Sequence, residues 1–87
     1  MPRVFIPPLL RPTAGGAEWL DVPGRSVREV IAALDARFPG LGRALAEGDS
    51  LRAGLSVVVD GNVSPGGLLE KVSPDSEIHF LPAIGGG

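Results

Sequence analysis

Apolar positions along this chain come in short bursts, and only one burst keeps a helical period. Val27, Val30, Ile31, Leu34 and Phe38 recur at i, i+3, i+4, i+7 and i+11, which draws one apolar stripe along a helix. Ser26-Val27-Arg28-Glu29 supplies the start, with a Ser hydroxyl for the amide three residues on and a Glu that returns to the cap. Residues 25–38 are the longest run without Gly or Pro, and Pro39-Gly40 ends it. Residues 41–47 predict a second, shorter helix, with Leu41, Ala44 and Leu45 on one side.

The other bursts read as strands. Val4-Phe5-Ile6 is β-prone and stops at Pro7-Pro8, because proline has no N–H for a sheet ladder. Residues 9–16 read as a loop. Residues 17–22 follow as a second strand, with Trp19 and Asp21 on the face opposite Leu20 and Val22 by the period of two. The β-branched run at 55–59 predicts a central strand, and Asp60-Gly61-Asn62 is turn chemistry. Residues 63–69 leave open whether a brief strand forms. Ser73-Pro74-Asp75 turns the chain into a last strand, Glu77-Ile78-His79-Phe80-Leu81, which Pro82 closes. Phe5 is out of phase with Val4 and Ile6, and Phe80 with His79 and Leu81, so one member of each set faces away from the helix. The order β-β-α-β-(β)-β, with one stripe and one sheet burying each other, gives a two-layer α+β domain.

Composition narrows the chemistry. Thirteen Gly and nine Pro are about double the usual share, yet 44% hydrophobic residues and a net charge of −2 argue for a folded chain. These breakers punctuate one domain, residues 1–82, followed by a flexible Gly-rich tail at 83–87. There is no Cys, no Tyr, one His and one Lys, which excludes a thiol nucleophile, a thiolate metal site and a histidine cage. No catalytic residue and no metal ligand is assigned. Eight basic residues against ten acidic ones leave no nucleic-acid footprint, and no apolar window is long enough to span a membrane. A soluble, cytoplasmic protein is expected. His79 reads as structural, Trp19 as packing, and Glu18, Asp21, Asp35 and Glu47 as a solvated surface. Thr13 with Gly15-Gly16 lacks the Lys and the following helix of a phosphate loop.

After Pro82 the sequence runs Ala83-Ile84-Gly85-Gly86-Gly87. Without Cβ atoms such an end threads a narrow slot and leaves its carboxylate open to attack. Three stretches carry a resemblance to a known family. They are Ile6-Pro7-Pro8-Leu9-Leu10-Arg11-Pro12-Thr13-Ala14-Gly15-Gly16, Val57-Val58-Val59-Asp60-Gly61-Asn62, and the run from Asp75 through Leu81-Pro82 to Gly85-Gly86-Gly87. Together they resemble the MoaD/ThiS family of ubiquitin-like sulfur carriers, nearest to its cysteine-biosynthesis type. Asp60 stands where that family often has Asn, Ser76 where it often has Gly, and Gly85 where Ala is common.

The resemblance implies a ubiquitin-like β-grasp, a mixed sheet of four to five strands packed on one long helix. It implies a carrier rather than an enzyme, with no bound cofactor. An E1-like adenylyltransferase would use ATP-Mg to adenylate the carboxylate of Gly87, and sulfur would then convert it to a thiocarboxylate. Gly85 and Gly86 would thread the partner's active site. The implied acceptors are a cysteine synthase or a molybdopterin synthase large subunit, with a JAMM-type metalloprotease as a further partner. In the molybdopterin case the chain would be the small, non-catalytic subunit of a synthase. A ubiquitin-like modifier joined to target lysines is the alternative. Phe5, Leu10, Arg11, Phe80, Pro82 and Ile84 are the partner-interface candidates.

Overall fold

A computed structural model describes residues 1–82, and the candidates Ile84, Gly85, Gly86 and Gly87 lie outside the described residues. The strands are β1 (Arg3–Phe5), β2 (Trp19–Asp21), β3 (Ala46–Glu47), β4 (Ser50–Leu51), β5 (Leu55–Val59), β6 (Asn62–Val63) and β7 (Glu77–Pro82). Two α-helices, α1 (Val27–Arg37) and α2 (Leu41–Leu45), separate β2 from β3, and 3-10 turns cover Pro8–Ala14 and Gly67–Leu69. Five strands form one sheet in the order β2-β1-β7-β5-β6, and β3 with β4 makes a separate small hairpin. β1 runs parallel to β7, and every other pair in the main sheet is antiparallel. This is the mixed sheet on one long helix that the β-grasp resemblance implies.

The core lies between α1 and the inner sheet face. Val27, Val30, Ile31 and Leu34 of the stripe are buried, while Phe38 sits at the helix end, half-buried against the same core. Opposite them the register aligns Leu20, Val4, Ile78 and Val59 across four strands, with Phe80 beside Val57 one level on. The Ser26 hydroxyl accepts the Glu29 N–H at 3.2 Å, as the capping pattern predicts. The Glu29 carboxylate returns one residue earlier than expected, to the Arg25 N–H at 3.2 Å.

Three local departures have physical causes. Residues 9–16 are not an open loop but largely a 3-10 turn, because the fixed φ of Pro8 and Pro12 also suits tight helical geometry. The β3–β4 hairpin leaves no trace in the apolar pattern; two-residue strands are too short to carry a period. Asp35 is no idle surface carboxylate. Its Oδ1 accepts the N–H groups of Gly40 and Gly42 at 3.1 and 2.9 Å, so it caps α2 from the neighbouring helix.

The turn after β5 shows a coupled pair. Asp60 and Gly61 both take positive φ, 51° and 84°, the geometry a tight hairpin demands. The Asp60 carboxylate accepts the Ser76 hydroxyl and the Glu77 N–H, each at 2.9 Å. Ser76, 2% exposed, also accepts the Ser73 N–H at 2.9 Å. Two of the three positions that depart from the pattern of the resembled family, Asp60 and Ser76, are therefore hydrogen-bonded to each other. We expect Ser76→Gly to cost about 1 kcal/mol, because the buried hydroxyl that bridges the Ser73 N–H and the Asp60 carboxylate is lost, although Asp60 is exposed and can turn to water. In a urea-denaturation cycle with Asp60→Asn, the double variant should be less destabilised than the sum of the singles by about 1 kcal/mol. Strict additivity would show the pair to be uncoupled.

Candidate functional site

The sheet face turned away from α1 is built by the residues that alternate with the core. Register places Trp19, Phe5, His79, Val58 and Val63 in one row across all five strands. Below it lies a charged row of Asp21, Arg3 and Glu77; above it, Leu81 pairs with Ser56. Three members of the first row pack as a ring cluster. Phe5 stacks on His79 at 5.2 Å and 30°, and Trp19 meets both rings edge-on at 5.2 and 5.3 Å. Such contacts each add about 0.5–1.5 kcal/mol, which fixes the cluster as a firm surface. Arg3 lies over the Trp19 ring at 5.6 Å and Arg11 over Phe5 at 5.2 Å, so guanidinium groups frame the rings.

Phe5 is thus on the open face, as its phase allows, and the structure resolves the other set the opposite way. Phe80 is fully buried against the helix and is no interface residue; His79 and Leu81 are the outward members. The reason is the parallel register, in which Phe5 faces His79 and the inner Val4 faces Ile78. Trp19 and His79, expected to be plain packing and structural residues, belong to the open face. The period of two already placed Trp19 opposite Leu20; the ring cluster depends on register, which no local pattern supplies.

At the upper edge of this face the 3-10 turn Pro8–Ala14 forms a ledge. Arg11 ties it down: its Nε donates to the Ile6 carbonyl at 3.0 Å, and its guanidinium lies 3.9 Å from Glu18. Leu10 is half-buried and packs on the core, so it offers a partner little. Its neighbour Leu9, not singled out in the sequence, is 89% exposed. Pro82 is exposed at the end of β7, where the chain leads into residues 83–87.

Among the described residues, no group of three His, Cys, Asp or Glu side chains gathers to hold a metal ion. A groove of about 270 Å³ between α1 and α2, floored by Ile31, Ala46 and Leu68, lies on the helix side of the sheet, away from the ring cluster. Among the described residues, no helix is long and apolar enough to cross a membrane. The described surface is thus a firm apolar face, a ledge, and a strand that delivers the chain's last residues.

A family model, described as the ThiS family, matches residues 4–87, which includes the final glycines. The chain belongs to the ThiS family. This ThiS-family chain is 32% identical to the sulfur carrier protein CysO of Mycobacterium tuberculosis, over 97% of its own length and 96% of that protein. The crystal structure of Mycobacterium tuberculosis CysO superposes with a TM-score of 0.87 at 27% identity, covering 97% of this chain and all of that one. CysO in the Amycolatopsis orientalis BexX/CysO complex covers the full length of both chains with a TM-score of 0.91 and 29% identity. The β-grasp described for this ThiS-family chain is therefore the fold of these CysO structures.

Proposed function

We propose that this chain is a sulfur carrier of the cysteine-biosynthesis type, with Gly87 as the sulfur-bearing residue. The observation that carries the reading is the full-length match to CysO sulfur carriers, in a sequence that ends Gly85-Gly86-Gly87 beyond β7. The chemistry needs two steps. A carboxylate is a poor electrophile, so an oxygen of Gly87 first attacks the α-phosphorus of ATP; pyrophosphate leaves and an acyl-adenylate forms. A sulfide sulfur then attacks the acyl carbon, AMP leaves, and the terminus becomes a thiocarboxylate. Sulfur is ionised near neutral pH and a better nucleophile than the oxygen it replaces.

In this reading the chain is a co-substrate and catalyses nothing itself. ATP-Mg binds to the partner, an E1-like adenylyltransferase, and a cysteine synthase takes up the sulfur. A JAMM-type metalloprotease would trim the carrier back to a free terminus. That one relative is known in a complex, with BexX, supports a carrier that works by docking. The exchange belongs in the cytoplasm, where thiols stay reduced. Phe5, Trp19 and His79 supply the docking face and Pro82 the point where the tail enters the partner.

Intact mass tests the reading. After incubation with ATP, sulfide and the E1-like enzyme of the same organism, the chain should gain about 16 Da as ionisable sulfur replaces oxygen. The gain should map to the C-terminal peptide. An unchanged mass with an enzyme that loads its own known carrier would sink the proposal.

A further inference from the structure

Residues 83–87 set how an enzyme must approach. Five residues reach at most about 17 Å beyond Pro82, so whatever acts on Gly87 rests its body against the edge of the sheet where β7 ends. Because β1 runs parallel to β7, with Phe5 beside His79, the chain leaving β1 emerges at that same edge, one strand away. There it folds into the Pro8–Ala14 ledge, whose exposed large aliphatic side chain is Leu9.

The ledge is held from several sides. Pro7, Pro8 and Pro12 restrict its backbone, the Leu10 N–H donates to the Pro7 carbonyl at 2.9 Å, and the Gly16 N–H donates to the Arg11 carbonyl at 2.7 Å. Arg11 bonds to the Ile6 carbonyl, and Ala14 is fully buried. With Leu10 turned to the core, Leu9 is left pointing outward and 89% exposed. An exposed leucine on a mobile loop would be unremarkable. One fixed in place loses little freedom on binding, so its burial passes into affinity with small loss.

We infer that Leu9 is the anchor by which the activating enzyme seats this carrier. Its side chain enters an apolar pocket beside the slot that takes residues 83–87, and its burial there holds the ground state and the transition state equally. The inference rests on the reading that an adenylating enzyme acts on Gly87. It adds the part of the surface that the enzyme grips besides the ring face.

The test is pyrophosphate release by the E1-like enzyme of the same organism, measured against the concentration of full-length carrier. Leu9→Ala should raise the KM for the carrier about tenfold or more, the worth of one buried leucine, and leave kcat within about twofold. Leu9→Met, which keeps the apolar bulk, should restore most of the loss. Leu69→Ala is the matched control: Leu69 is also exposed, at 76%, but lies on the other 3-10 turn, packed beside α1. It should behave as wild type. A Leu9→Ala KM equal to wild type, or an equal loss from Leu69→Ala, overturns the inference while adenylation by the wild-type chain still stands. Absence of pyrophosphate release from the wild type overturns the proposed function, and the anchor with it.

Discussion

Phe80→Ala should remove a large share of the domain's stability. The ring is fully buried on the inner face of β7, beside Val57 in register and one level on from Ile78. Truncating a buried Phe costs about 3–5 kcal/mol, because transfer energy is lost and a cavity remains. A chain of this length has only about 4–13 kcal/mol in total. The urea midpoint should therefore fall steeply at an unchanged slope. Phe5→Ala, on the outer face, removes ring contacts worth about 0.5–1.5 kcal/mol each and should shift the midpoint far less. Equal losses from the two substitutions would mean that the inner and outer faces of the sheet are wrongly assigned.

Deleting Gly87 should abolish sulfur loading and leave the urea midpoint where it is. The described core residues all lie before residue 83, and Gly87 has no side chain to bury, so deleting it removes no apolar side chain from the fold. Reaction geometry does depend on it. Loss of one residue draws the terminal carboxylate back by about 3.5 Å, when it must come within about 3–3.5 Å of the α-phosphorus. A misplacement of about 1 Å can already cost a hundredfold in rate, so the mass gain should disappear on the time scale of the wild-type reaction. Loading at the wild-type rate by the chain ending at Gly86 would show that the activating enzyme does not measure tail length.

Most of the fold was legible because its signals are local. The stripe of α1, its Ser26 cap, the 55–59 strand and the Asp60-Gly61 turn each depend on neighbours within a few residues. The docking face was only half legible. Period-two alternation separates Phe5 from Val4 and Ile6, but at 77–81 both phases carry apolar side chains, and alternation cannot choose between Phe80 and His79. That choice is made by pairing with β1, more than seventy residues earlier in the chain. The ledge was hidden for another reason. Three prolines read as breakers, although their fixed φ also builds the 3-10 turn that lifts Leu9 outward. The glycine end was legible as a motif, and it lies outside the described residues.

The parallel pairing of β1 with β7 also constrains how this protein comes into being. The middle of its sheet joins β1 to β7, the first and last strands among the described residues, so closing it brings together positions more than seventy residues apart. Contacts of such long range make folding slower and leave the nascent chain without its central ladder until β7 is available. A shortened product that stops before Glu77 would lack Ile78 and Phe80 and could not complete the core. The strand that closes the fold is also the one that leads to the glycines. A folded but tailless competitor for the activating enzyme can therefore arise only by loss of the last few residues, and truncation further upstream removes itself by failing to fold.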